Sequence, residues 1–239
     1  MTGEELRALR NARKIRVSGA EAPAILPDLA ALASVPGCPQ QLIENIGALG
    51  WTSLTETQMQ SIPTLLDDRD VLSCAPTGSG KTGAFAIPLL VRLLRGAARP
   101  GADASPRAII LAPTRELATQ IARETARLAK DTGISVRALA KEDDASVFAE
   151  CDVLVSTPLR LATLVTAQPG RRLAAVEMLV VRLTNCELFI LATLLRRNRS
   201  EEREMMITTS ILGHLSKGSR SGRGIRSSAS LMLTTSLYA

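Results

Sequence analysis

Aromatic side chains are nearly absent: Trp51, Tyr238, Phe85, Phe148 and Phe189 are the only five in 239 residues, so aliphatic side chains must build any core. His214 is the single histidine, which excludes a histidine-based metal site and a Ser-His-Asp triad. Cys38, Cys74, Cys151 and Cys186 are scattered, with no C-x-x-C pair. Neither a disulfide framework nor a zinc site is expected, and a reducing compartment fits this usage. No apolar run approaches the ~20 residues that span a bilayer, so no membrane partner is expected. The opening Met1-Thr2-Gly3-Glu4-Glu5 is acidic and has no hydrophobic stretch, so the expectation is a soluble intracellular protein without a secretory signal.

What is present is an ordinary globular composition, 46% apolar and 22% charged, long enough for one or two domains and a sizeable core. The net charge of +6 suggests nucleic acid, but its distribution is uneven. Residues 1–181 carry a net +1, and residues 182–239 carry a net +5.

That last stretch differs in kind. No proline follows Pro169 and no aspartate follows Asp152, whereas nine serines and six threonines fall within 182–239. The run Lys217-Gly218-Ser219-Arg220-Ser221-Gly222-Arg223-Gly224 reads as a solvated, disordered segment. The apolar patch 188–195 is expected to form a short helix. Three parts follow: an N-terminal extension over 1–35, an α/β domain over 36–181, and an irregular basic tail over 182–239.

Within the middle part, helix and strand signals alternate. Leu42, Ile43, Ile46 and Leu49 lie at helical spacing and are closed by Gly50. A second helix runs from about residue 57 towards 66, with Pro63 expected to bend or split it. Short apolar runs at 71–75, 108–112, 135–139, 152–156 and 178–181 read as strands. Between them, 82–95, 115–130 and 159–166 read as helices, and 96–106, rich in Gly, Pro and Ala, as a surface loop. This alternation predicts a parallel sheet with helices on both faces.

The sharpest signal is Ala75-Pro76-Thr77-Gly78-Ser79-Gly80-Lys81-Thr82, which follows a predicted strand and opens a predicted helix. Gly78 and Gly80 let the backbone curl so that successive N–H groups point inward at a phosphate. The helix beginning near Lys81 adds its positive dipole end. Lys81 is the residue to reach the terminal phosphates, and the Thr82 hydroxyl the one to ligate Mg²⁺.

The neighbours of this loop suggest a family. Upstream stands Gly50-Trp51-Thr52-Ser53-Leu54-Thr55-Glu56-Thr57-Gln58; downstream come Pro113-Thr114-Arg115-Glu116-Leu117-Ala118 and Thr157-Pro158-Leu159-Arg160-Leu161. In this order and spacing the chain resembles the DEAD-box ATP-dependent RNA helicases over about residues 13–181. Lys14-Ile15-Arg16-Val17-Ser18-Gly19 and the Cys74 before the loop look most like the subgroup of small-subunit ribosome assembly. The resemblance implies a RecA-like domain that binds ATP and Mg²⁺, acts on RNA of the pre-ribosome in the nucleus or nucleolus, and works with a helicase cofactor protein. It implies that Gln58 reads the adenine edge, with Ala75 to Thr82 holding the nucleotide. It implies RNA contact by Pro113, Thr114, Arg115, Glu116, Thr157, Pro158 and Arg160. Chemically, a glutamine amide offers a paired donor and acceptor. Hydroxyls, a guanidinium and helix-start amides suit phosphates. The same residues equally suit plain helix work: Gln58 on an exposed helix face, and Thr114 and Thr157 as caps. Trp51 is expected to pack in the core.

The chain departs from the family pattern in several places. Leu54 and Glu56 replace the prolines of the glutamine motif, and no aromatic stands upstream to stack on a base, Leu29 being nearest. After Met178-Leu179-Val180-Val181 the family pattern would read Asp-Glu-Ala-Asp; here Arg182-Leu183-Thr184-Asn185-Cys186 follows. The carboxylates that the resemblance assigns to Mg²⁺ and to the attacking water are missing. With one choice of codons, those for Glu-Ala-Asp-Lys read one base later into a following C give Arg-Leu-Thr-Asn, provided that the preceding Asp codon is lost as well. Thr208-Thr209-Ser210 is only a faint candidate for the next motif, and no second RecA-like domain follows. The expectation is therefore a half that binds nucleotide and RNA without hydrolysis, with no catalytic residue at 182–185. The alternatives are a purely non-catalytic binding module, a P-loop protein unrelated to RNA, or a fragment that does not fold stably. On that last count, the strands at 71–75 and 178–181 are expected to lose their shared neighbour and expose edges.

Overall fold

The computed structural model describes residues 2–19, 22–96, 105–144, 146–167, 173, 175–182 and the backbone of 188–193. Before the sheet come α1 (Gly3–Ala12), α2 (Leu29–Ala33), α3 (Gln40–Ala48) and α4 (Glu56–Leu66). Then follow β1 (Val71–Cys74), α5 (Lys81–Arg95), β2 (Ala108–Leu111), α6 (Arg115–Leu128) and β3 (Val136–Ala138). The described elements end with α7 (Val147–Glu150), β4 (Val153–Ser156), α8 (Pro158–Ala167), β5 (Met178–Arg182) and β6 (Leu188–Thr193).

The strands form one six-stranded sheet in the order β1-β6-β5-β2-β4-β3. β2 and β4 are buried on both faces, and period-2 alternation sends their side chains into two separate cores. Ile110, Val153, Val155 and Val180 pack on one side with α4, α5 and α6 residues such as Ile62, Phe85 and Ile121. Ile109, Leu111, Leu154 and Leu179 pack on the other with Phe148, Leu161 and Leu164. The sheet with helices on both faces is the predicted architecture.

The segment after β5 corrects two expectations. Residues 188–193 form a strand, β6, where a helix was predicted from the apolar patch. That strand fills the gap between β1 and β5, antiparallel to both, pairing Val71 with Leu191 and Val180 with Leu191 from its two sides. The inner edges of β1 and β5 are therefore covered rather than exposed. Only five residues separate β5 from β6, too few for the dozen-residue crossover that a parallel neighbour needs, so the chain returns antiparallel. An apolar run of this length carries no periodicity that separates helix from strand; two open strand edges decide it.

Helix α4 passes through Pro63 without splitting. A proline leaves the carbonyl four residues earlier without its helical donor. Here the Met59 carbonyl accepts instead from the Leu26 N–H at 2.9 Å. The N-terminal segment is thereby tied to the domain, and Ile25 and Leu32 join its core. α1, which carries a Thr2–Glu5 capping box, is anchored by Arg10, whose Nε donates to Gln60 Oε1 at 2.9 Å. Burial lowers the Arg10 pKa. The predicted loop 96–106 falls largely outside the described residues, as do Cys186, Thr208-Thr209-Ser210 and most of the tail. Among the described residues Cys38, Cys74 and Cys151 form no disulfide, and no helix is long and apolar enough to cross a membrane.

Candidate functional site

β1, β5, β2 and β4 run parallel to one another, so their carboxyl ends open on one end of the sheet. That end of an open α/β sheet is where ligands bind. It collects the phosphate loop after β1, Arg182 at the end of β5, Pro113 to Glu116 after β2, and Thr157 to Arg160 after β4. They do not converge on one point. Three strand spacings separate β1 from β2, roughly 14 Å, so the loop and the candidate RNA residues lie side by side along that end.

In the loop, Gly78 and Gly80 adopt the left-handed conformation, at φ +82° and +72°. Gly80 is the N-cap of α5 and supplies no side-chain bond to the first turn. The α5 amides are thus left for an anion at the positive end of the helix dipole. The Lys81 Nζ donates to the carbonyl oxygens of Ala75 at 2.6 Å and Pro76 at 2.5 Å. Thr82 is half-buried on the first turn of α5, while Thr77 is exposed. The Ser79 hydroxyl oxygen is buried and makes no hydrogen bond.

Two side chains of α4's first turn hold this loop from behind. Thr55 Oγ1 donates to the Ser79 carbonyl at 2.8 Å, and Gln58 Nε2 donates to the Gly80 carbonyl at 3.0 Å. Gln58 is only 2% exposed, which sets aside its reading as an exposed helix residue. The role of Thr55 escaped the sequence reading, although Thr55-x-x-Gln58 is a capping box and the box is present. Trp51 is half-buried against the core, its ring beside Gly83.

Thr114 is the N-cap of α6, accepting from the Leu117 N–H at 3.2 Å. Arg115 and Glu116 are exposed beside it. Hydrogen bonds from its own backbone amide and from Thr114 hold the Glu116 carboxyl below its ordinary pKa. The same exposed face continues through Thr119, Gln120 and Arg123, which line a shallow depression of about 530 Å³. Those three were not singled out from sequence, although Thr119 and Gln120 follow Glu116 by three and four residues and Arg123 follows them by four and three, which places all on that face. Pro158 is the first residue of α8. Arg160 is half-buried and engaged with the loop after β3, its Nη2 donating to the Lys141 carbonyl at 2.9 Å and also to that of Asp143.

The residues present fit a phosphate chain better than they fit a metal. Two left-handed glycines, an uncapped helix start and Lys81 suit phosphate oxygens. Among the described residues there is no group of three or more His, Cys, Asp or Glu able to hold a metal ion. Mg²⁺ is normally held by one or two carboxylates together with substrate phosphates. Thr82 offers only a hydroxyl, and the end of β5 presents half-buried Arg182, whose pKa burial lowers while Glu124 opposes the shift. No hydrolytic step follows from this donor set.

A family model described as DEAD/DEAH box helicase matches residues 55–182. The chain belongs to that family. Among curated proteins it is 41% identical over 161 residues to "DEAD-box ATP-dependent RNA helicase 57" of Oryza sativa subsp. japonica, covering 66% of this chain and 29% of that protein. It is 38% identical over 185 residues to "Probable ATP-dependent RNA helicase DDX52" of Bos taurus, covering 74% and 30%. The chain thus spans about a third of the length of these relatives. Among solved structures it is similar to the RNA-helicase Prp28 from Chaetomium thermophilum bound to ADP, at TM-score 0.68 and 25% identity, covering 93% of this chain and 50% of that one. The yeast DEAD-box splicing factor Prp28 follows at TM-score 0.64 and 30% identity, covering 76% and 44%. The fold is accordingly RecA-like, and membership of this helicase family agrees with the motifs at Gln58, Ala75 to Thr82, Pro113 to Ala118 and Thr157 to Leu161.

Proposed function

We propose that this chain is the nucleotide-binding half of an ATP-dependent RNA helicase, able to hold ATP and RNA but not to turn ATP over by itself. One observation carries the reading: an intact phosphate loop shares its end of the sheet with Arg182 where a metal-holding carboxylate would be needed. Ala75, Pro76, Thr77, Gly78, Ser79, Gly80, Lys81 and Thr82 take the phosphates, and the Thr82 hydroxyl is offered to Mg²⁺. Gln58 acts at the base or through the loop that it supports. Pro113, Thr114, Arg115, Glu116, Thr157, Pro158 and Arg160 form the RNA-facing side, the exposed Arg115 supplying its charge. Relatives named as RNA helicases support an RNA partner. The resemblance extends this to pre-ribosomal RNA, a nuclear or nucleolar site and a helicase cofactor protein. The tail over 182–239 stands outside the family pattern and fits a frame change after Val181.

The test is equilibrium binding of a fluorescent ATP analogue to the full chain, with and without Mg²⁺, beside an RNA-stimulated ATPase assay. The expected result is saturable binding, weakened at least tenfold by Lys81→Ala, with no turnover above background. RNA-stimulated multiple turnover would overturn the proposal.

A further inference from the structure

Against the outer side of the phosphate loop, sharing Ala75, Pro76 and Ser79 with it, lies a cleft of about 620 Å³ whose other walls have no assigned role. It is bounded by Arg13 to Ser18, by one face of α4, and by β1, which is the end strand of the sheet. Three cations, Arg13, Lys14 and Arg16, line it within four residues, against a single carboxylate, Glu56. All three are exposed, and no acceptor among the described residues pairs with their side chains. The cleft also carries unpartnered hydroxyls. Ser61 and Ser73 line it at 5% and 6% exposure, and neither hydroxyl has a hydrogen-bond partner among the described residues, so both are open to a ligand that enters the cleft. The buried, unpartnered Ser79 oxygen borders it from the phosphate loop.

The backbone at Lys14 points the same way. α1 ends in a Schellman turn, with Ile15 N donating to Arg10 O at 2.9 Å and Lys14 N to Asn11 O at 3.0 Å. Lys14 occupies its left-handed position at φ +55°, where glycine is the unstrained choice. A lysine kept there places a cation on the cleft at a backbone cost, and such cost accompanies function more often than packing.

We propose that this cleft is a second phosphate-binding groove, engaging the backbone of a single RNA strand through Arg13, Lys14 and Arg16, with the Ser61 and Ser73 hydroxyls as donors to phosphate oxygens. The three cations follow one another along the chain over at most about 10 Å, a spread suited to neighbouring phosphates of a strand rather than the single point on which a nucleotide's phosphates converge. The inference rests on the RNA reading above and adds a contact that the motifs after β2 and β4 do not supply.

The experiment is fluorescence anisotropy of a labelled single-stranded RNA with the full chain across several salt concentrations. Lys14→Asn keeps a residue that tolerates the left-handed conformation while removing the charge, and Lys14→Gly relieves the backbone. With Arg16→Gln, these variants are expected to weaken RNA binding several-fold and to lower the salt slope by about 0.7 per lost contact, with melting temperature not lowered and ATP-analogue affinity unchanged. If Arg115→Gln weakens RNA binding while the Lys14 and Arg16 variants leave it unchanged, the groove is wrong and the RNA reading survives. If the variants weaken the ATP analogue and not RNA, the cleft belongs to the nucleotide and the proposal is overturned. If the unmodified chain binds no RNA, both readings fall.

Discussion

The Gln58 amide is committed at both ends: its nitrogen donates to the Gly80 carbonyl at 3.0 Å and its oxygen accepts from the Thr55 N–H at 3.0 Å. One side chain thus closes the start of α4 and braces the start of α5. The phosphate loop is set by the helix before it as much as by its own glycines.

Gln58→Ala removes both bonds and leaves the Thr55 N–H without a partner, while the Gly80 carbonyl keeps only the Ala84 N–H at 3.1 Å. It should cost about 1–3 kcal/mol in denaturant unfolding and weaken nucleotide binding in parallel. A variant of unchanged stability that altered only ATP-versus-GTP preference would instead assign Gln58 to base reading alone.

A methyl group at Gly83 would stand 2.6 Å from both the Gln58 amide nitrogen and the Trp51 ring. Gly83→Ala should destabilise by about 1–3 kcal/mol through overpacking. Gly47, inside α3, has nothing within 4 Å of an added Cβ, so Gly47→Ala should stabilise by about 0.5–1 kcal/mol. Opposite shifts in thermal unfolding midpoint check the pair.

Arg107 is buried at the start of β2 and joins three elements. Its Nε donates to Glu177 Oε1 at 2.8 Å before β5, and its Nη1 to the Leu93 carbonyl at 2.9 Å in α5. Arg107→Ala leaves a shielded carboxylate and a carbonyl unmatched, and should cost about 3 kcal/mol in urea unfolding. Glu177→Gln keeps an acceptor and should cost clearly less.

A stop codon after Arg182 deletes β6 and opens the inner edges of β1 and β5 together. The shortened chain should lose cooperative unfolding and self-associate, which size-exclusion chromatography and circular dichroism would detect. A monomer with unchanged melting would mean that β6 is dispensable.

The lowered Glu116 pKa sets the sign of an acid effect. A carboxyl whose folded pKa lies below its unfolded value stabilises fully above the unfolded value. That contribution disappears as pH falls through the folded value. The melting difference between the protein and Glu116→Gln should be constant above about pH 5.5 and shrink below about pH 4. Its persistence to the acid end would show that the charge on Glu116 contributes nothing.

Much of the fold was legible in the sequence because the signals are local. Val71, Ile109 and Val155 sit in short apolar runs between helical periods, and their strands appear within a residue or two of the predicted bounds. The phosphate loop was legible for the same reason, its glycines and lysine being consecutive. α1, α2 and α7 were not foreseen. α2 and α7 span only five and four residues and are fixed by Asp28 capping and by packing of Val147 and Phe148, not by periodicity. In the site, Thr114 was legible as a cap, whereas the orientation of Arg160 depends on carbonyls some twenty residues away in sequence.

The sequence by itself determined the alternation of strand and helix, the phosphate loop, and the loss of the carboxylates after Val181, since each is written in neighbouring residues. Tertiary structure alone decided the rest. It made 188–193 a strand, because two unpaired edges outweigh a weak local preference. It buried Gln58 against Gly80, because helix α4 starts there. It also gathered Lys14, Ser61, Ser73 and Ser79 around one cleft, because groups dozens of residues apart meet only when the chain folds.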